Sequence, residues 1–302
     1  LMAGVDVYRD PMAIPHVIAS NEHDLYMAVG FVMAQDRLWQ MDLLRRVTMG
    51  RLSEIFGDDM ADADALLRSL RMGEKSARVL EQIDADLKAA LDAFCKGVNL
   101  FIEQHPKTLP PEFAILGYRP EPWEPIHSVN LIGYMAWDLA GSWQSEIIMH
   151  KLRAHLSEEL FEALMPDMGL HQSFVYPSLD RVYEKESQAS LFPVLEASKK
   201  LKDLGLEVFS ASNNWAVSGH RSETGAPLLA NDMHLSFGAP GIWYQMYQEV
   251  EGGLKVRGVV LPGQPFVIVG HNERIAWGMT NVYVDDMDFY LETIEPEQGN
   301  TY

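Results

Sequence analysis

The spacing of apolar residues changes character once along this 302-residue chain, near residue 210, and that change limits the fold more than any other feature. Before it, Leu25, Val29, Val32, Trp39 and Leu43 recur at helical spacing behind a candidate cap at Ser20 or Asn21. Leu80, Ile83, Leu87, Leu91, Phe94, Val98 and Phe101 then follow in steps of three or four, which predicts one long amphipathic helix facing a core. The next position of that stripe is His105, and Pro106 stops the helix there. Residues 109–123 are rich in proline and read as a connector. A helix over 128–156 and a shorter one capped at Ser157, with Glu158 and Glu159 in its first turn, complete the helical series.

Residues 184–207 turn polar and mixed in charge, with Lys199, Lys200 and Lys202 close together, as in a spacer over a short helix. Beyond them, residues 215–217, 227–230, 242–250, 255–261 and 266–269 are short apolar or alternating runs broken by glycine, which predicts strands and hairpins. The order is helices, spacer, sheet: an α+β chain without internal repeats or low-complexity tracts. Residues 1–5 already read as an interior strand, and 295–302 stop without a closing element, so the sequence reads as part of a longer chain.

Forty-three acidic residues against 24 basic give a formal charge of -19, which repels phosphate backbones and anionic lipid and argues against nucleic acid and membrane as partners. The longest apolar stretch, around 131–140, contains Asp138 and is too short to span a bilayer. The single cysteine, Cys95, excludes an internal disulfide, and its place beside Leu91, Phe94 and Val98 reads as a buried structural thiol. Ten histidines are scattered without a paired metal spacing, and the chain has no Gly-x-Ser-x-Gly elbow, no His-Glu-x-x-His helix and no phosphate-binding glycine loop.

What remains is the junction Ser210-Ala211-Ser212-Asn213-Asn214-Trp215-Ala216-Val217, where the spacer meets the first strand. Taken alone, serine and asparagine there describe a turn, because their side chains bond nearby backbone. A second reading makes Ser212 a chain terminus. A free α-amino group, with a reference pKa of about 7.7–8.0, can take the proton of its own hydroxyl, so one residue supplies both nucleophile and base.

The segment Ser212 to Val217 resembles the start of the catalytic β-chain in the penicillin acylase family of N-terminal-nucleophile hydrolases. Leu229-Ala230-Asn231-Asp232-Met233-His234-Leu235 is similar to the family's segment after the first hairpin, and Pro262-Gly263 with residues 270–281 to its next motif block. Upstream, Arg9-Asp10-Pro11-Met12-Ala13-Ile14-Pro15-His16-Val17, residues 30–46, Gly50-Arg51-Leu52-Ser53-Glu54 and Gly97-Val98-Asn99 resemble the family's α-chain. The likeness covers almost the whole chain in the family's order.

It implies an αββα sandwich, only partly present here, with a mainly helical α-chain part over 1–183, a spacer over 184–211 and the truncated start of the β-chain over 212–302. It implies self-cleavage of the Ala211–Ser212 bond into an α/β heterodimer, and attack of Ser212 on linear N-acyl amides through an acyl-enzyme. The backbone N–H of Asn281 falls where the family places one oxyanion donor, and the main chain at His234 where it orients the nucleophile's amine; His234 as general base is the alternative. The second oxyanion donor of the family, an asparagine side chain, falls downstream of Tyr302, so a chain ending there would be impaired.

In the Asp285-Asp286-Met287-Asp288 cluster, the bland reading is a solvated loop, whereas the resemblance implies Ca²⁺ held by Asp285, the Met287 carbonyl, Asp288 and Glu146. Leu235 and Val269 replace two pocket phenylalanines of the phenylacetyl-specific members, and Leu139-Ala140 an Arg-Phe gate. Both could be core packing; if they line the pocket, an aliphatic acyl group is expected, as in N-acyl-homoserine lactone acylases. Family habit places such proteins in the periplasm or outside the cell. A homologue that binds amides or a partner without processing is the competing expectation.

Overall fold

The computed structural model describes residues 1–141, 143–164, 192–206, 211–235 and 238–281, together with Met287 and Phe289. Two compact units are formed: Leu1–Leu139 with Glu196–Val282, and Ala140–Leu195 with Tyr283–Tyr302. The first thus joins the long helices to the strands that follow residue 210.

Helix α1 (Glu22–Met49) starts at Asn21, whose side chain accepts from the Asp24 N–H, and ends where Gly50 turns into the left-handed region. The predicted second helix is two. α4 (Met72–Gln82) stops at Ile83, which is extended, and Asp84 then caps α5 (Ala85–Gln104) by accepting from the Leu87 N–H. A period of three or four runs across that break although Met72 of α4 and Phe94 of α5 belong to different apolar clusters, so periodicity alone cannot see the cap between the helices. Between α1 and α4 lie the short α2 (Ser53–Phe56) and α3 (Ala61–Ser69). The proline-rich connector contains its own short helix, α6 (Pro111–Leu116), with proline at its first turn. The predicted 128–156 helix is likewise divided, into α7 (Pro125–Ala140) and α8 (Trp143–His155), around Gly141 at positive φ.

Strands β1 (Val5–Arg9) and β2 (Pro15–Ala19) precede the helices. β1 begins only at Val5, is exposed along most of its length and forms a sheet edge, in contrast to the interior strand expected over residues 1–5. The short helix expected in the spacer is α10 (Phe192–Asp203), and after it come β3 (Ala211–Val217), β4 (Leu228–His234), β5 (Tyr244–Val250), β6 (Lys255–Val260), β7 (Val269–Asn272) and β8 (Ala276–Trp277). Among the described residues six strands form one sheet in the order β1-β2-β5-β6-β7-β8, in which β2 runs parallel to β5 and the other pairs are antiparallel. β3 and β4 form a separate antiparallel ribbon.

On β5, Tyr244, Met246, Gln248 and Val250 alternate inward. With Val17 and Val260 from the sheet, Leu25, Val29, Val32 and Met33 from α1, and Phe94, Val98 and Phe101 from α5, the three apolar ones, Tyr244, Met246 and Val250, build the main core. Cys95 is buried in it, and burial pushes its thiol up to about 12, as a structural cysteine requires. In the second unit, α8 is followed by α9 (Glu158–Leu164), and Arg153 lies over the Phe161 ring at 5.2 Å. Among the described residues no helix is long and apolar enough to cross a membrane.

Candidate active site around Ser212

The β3–β4 ribbon pairs Ser212 with Met233 and Ala211 with His234. Directly paired residues share a face and neighbours alternate, so the Ser212 hydroxyl and the His234 imidazole lie on opposite faces. The imidazole Nδ1 is instead 3.2 Å from Asp232 Oδ2, its same-face neighbour two residues away. The main chain of His234 stays beside Ala211, next to the bond expected to be cut.

The partners of the Ser212 hydroxyl come from the segment after β8. Its Oγ is 2.7 Å from the Thr280 Oγ1 and accepts from the Asn281 N–H at 3.1 Å. The Thr280 hydroxyl also donates to the Ser212 carbonyl at 3.1 Å. Ser212 is half-buried and Thr280 exposed. A backbone N–H fixed about 3 Å from a hydroxyl can stabilise negative charge that develops beside that oxygen.

Asn231 on β4 holds this segment in place. Its Oδ1 accepts from the Met279 N–H at 2.9 Å, while its Nδ2 donates to the Met279 carbonyl at 2.9 Å and to the Asn213 carbonyl at 3.0 Å. The approach needs glycine at 278, where a Cβ would stand 2.7 Å from Asn231 Oδ1 and 2.8 Å from Asn214 Nδ2. Asn281 is tied down in turn, its Nδ2 donating to the Leu139 carbonyl at 2.7 Å.

Of the four residues expected around the acyl group, this network reaches Leu139. Ala140 is buried at the end of α7, Leu235 is half-buried directly after β4, and Val269 is half-buried at the start of β7, paired with Val259. Of the expected calcium ligands, Asp285 and Asp288 lie outside the described residues. Glu146 Oε2, on α8, accepts from the Phe289 N–H at 3.3 Å. Among the described residues no three His, Cys, Asp or Glu side chains are grouped as a metal site.

Sequence reasoning passed over Thr280 and Asn231. Both stand inside the quoted motifs, but neither carries a signal of its own, because a lone threonine or asparagine in a loop reads as turn chemistry. Only the fold brings positions 68 residues apart within hydrogen-bond reach.

The family model described as penicillin amidase matches residues 4–302. The chain is 36% identical over 306 residues to penicillin acylase 2 proenzyme of Pseudomonas sp. (strain SE83), covering 100% of this chain and 39% of that protein. It is 31% identical over 303 residues to the acyl-homoserine lactone acylase QuiP of Pseudomonas syringae pv. syringae, covering 99% of this chain and 36% of that one. The solved thermostable penicillin G acylase from Alcaligenes faecalis aligns at 24% identity with a TM-score of 0.48, over 58% of this chain and 95% of that chain. The chain therefore spans between a third and two fifths of the length of these curated relatives. A match running from residue 4 to the last residue leaves no doubt of its kinship: this chain belongs to the penicillin amidase family.

Proposed function

We propose that the protein is a self-processing amidohydrolase whose nucleophile is Ser212, acting on linear N-acyl amides. The observation that carries this reading is the Asn281 N–H directed at Ser212 Oγ from 3.1 Å, at the two positions expected for nucleophile and oxyanion donor. In the uncut chain Ser212 Oγ would attack the Ala211 carbonyl, break the Ala211–Ser212 C–N bond and leave an ester. That step passes the Oγ proton to the departing nitrogen and so frees the Ser212 amine, and water would then split the ester into the Ala211 carboxylate and the Ser212 hydroxyl. In the mature enzyme that amine takes the Oγ proton as Oγ attacks the substrate carbonyl. The Asn281 N–H supports the charge on the carbonyl oxygen, and the substrate's own amine leaves with the proton handed on by the Ser212 amine before water deacylates the serine.

The main chain of His234, which pairs with Ala211 in the ribbon, would orient the new amine. The two halves of the cut chain would remain an α/β heterodimer within an αββα sandwich. Leu139, Ala140, Leu235 and Val269 would line an aliphatic acyl pocket, which suits a lactone-signal acylase better than a phenylacetyl-specific one. The donor set of the acidic cluster fits a hard cation: Glu146, the Met287 carbonyl, Asp285 and Asp288 would hold Ca²⁺ and pin α8 to the segment that follows the sheet. A periplasmic or extracellular place is part of the same reading.

The test is intact-mass spectrometry of the full-length gene product beside Ser212→Ala. Two fragments in the wild type, one starting at Ser212, with a single chain in the variant, are expected. One uncut chain in both would leave a binding homologue as the better account.

A further inference from the structure

We propose that Thr280 is the positioning residue of the nucleophile, its hydroxyl fixing the Ser212 side chain and main chain together. The inference rests on Ser212 being the nucleophile. Hydrogen accounting carries it. Thr280 has one hydroxyl hydrogen, and the Ser212 carbonyl, 3.1 Å away, can only accept, so that hydrogen is committed there. The 2.7 Å contact between the two hydroxyls is then donated by Ser212. The Asn281 N–H approaches the same Oγ at 3.1 Å. Cβ, the outgoing hydrogen and the incoming N–H occupy three directions around Oγ, leaving one lone pair free. Its direction is set once χ1 is set.

Two consecutive residues thus divide the work. Asn281 supplies a donor, and Thr280 turns Oγ so that the free lone pair has one direction. A bond to the side chain alone would leave the serine backbone free to twist. A second bond to the carbonyl of the same residue closes a small ring that removes this freedom. The clamp is itself held, since Asn231 bonds both main-chain groups of Met279 and the Asn213 carbonyl. An alcohol is too weak a base to keep the Oγ proton, so Thr280 orients it and the Ser212 amine receives it.

The experiment compares Thr280→Val, Thr280→Ala and Thr280→Ser in the full-length protein, with Ser212→Ala as reference. It reads self-processing by intact mass, kcat and KM on a chromogenic N-acyl anilide, and melting temperature. Thr280→Ala removes the hydroxyl without adding a β-branched methyl in its place, which keeps the test usable if the valine variant does not fold. Loss of the hydroxyl is expected to lower processing or kcat by about 100-fold with KM and melting temperature nearly unchanged. Thr280→Ser should return both rates to within about threefold of wild type. Wild-type rates in the valine and alanine variants would overturn the proposal, as would a serine variant as slow as they are. A cut Ser212→Ala chain would instead sink the reading of Ser212 as nucleophile.

Discussion

Helices α1 and α5 meet through buried apolar side chains and glycines, whereas the ribbon that carries Ser212 is held by amides and hydroxyls at an open surface. In the first region Leu25, Val29, Met33, Phe94 and Val98 are at most 0% exposed, and Gly30 lies against the Phe94 carbonyl. In the second, Trp215 is 56% and Leu228 54% exposed, and the bonds that fix position come from Asn231, Thr280 and Asn281. Packing tolerates no intrusion but indicates no chemistry. Directional bonds contribute little to stability at an exposed site, yet they decide where an oxygen points.

The contrast breaks most visibly at Gly97. A Cβ there would stand 1.8 Å from the Met27 carbonyl oxygen and 2.8 Å from its carbon, both backbone atoms that cannot step aside without moving α1. Gly97→Ala should therefore destabilise the full-length protein by about 3 kcal/mol or more, even after the roughly 1 kcal/mol that alanine gains in a helix. Thermal unfolding reads it, and an unchanged melting temperature would show that the helices are not in contact at this point.

His127 gives an effect of similar size that depends on pH. It is 5% exposed, its Nδ1 accepts from the Glu124 N–H at 2.9 Å, and burial, helped by the Arg45 charge, pulls it from 6.5 to about 4. A folded-state value below the unfolded one means that the unfolded chain takes up the proton first. The stabilisation is present in full above about 6.5 and is lost as pH falls towards 4. At about 1.4 kcal/mol per unit, the loss is of the order of 3 kcal/mol. Urea unfolding at pH 7 and pH 4.5 should show a smaller fall for His127→Gln, which keeps an acceptor that does not titrate; equal falls would clear the histidine.

The two regions were also unequally legible. The stripe through Leu91, Phe94, Val98 and Phe101 announces α5 because burial of one helical face imposes a period on the sequence. The break at Ile83 was hidden, since a cap changes hydrogen bonds without changing the apolar period. The parallel pairing of β2 with β5 was hidden as well: Val17 and Gln248 meet across 231 positions, and no local pattern encodes such a meeting. Arg45, wholly buried and donating to the Glu121 and Pro122 carbonyls, could not be told from a surface arginine. Ser212 and Asn281 were legible only by resemblance, and Thr280 and Asn231 not at all, because a hydroxyl or amide gains its role from what the fold sets opposite it.

The finest test lies at Asn231, where stability and geometry should separate. Asn231→Asp keeps the acceptor that faces the Met279 N–H but removes both donors, the ones reaching the Met279 and Asn213 carbonyls. A carboxylate oxygen would then face two carbonyl oxygens, and the segment carrying Thr280 and Asn281 would move away from β3. These bonds lie at a largely exposed surface, so the change in unfolding free energy should stay within about 1 kcal/mol. A displacement near 1 Å at the nucleophile, by contrast, costs on the order of 100-fold in rate. Melting temperature and kcat measured on the same full-length variant decide the point. A large fall in kcat at nearly constant stability would place the amide clamp among the parts that aim Ser212. A fall in both together would make the ribbon one more piece of core, and the contrast with α1 and α5 would close.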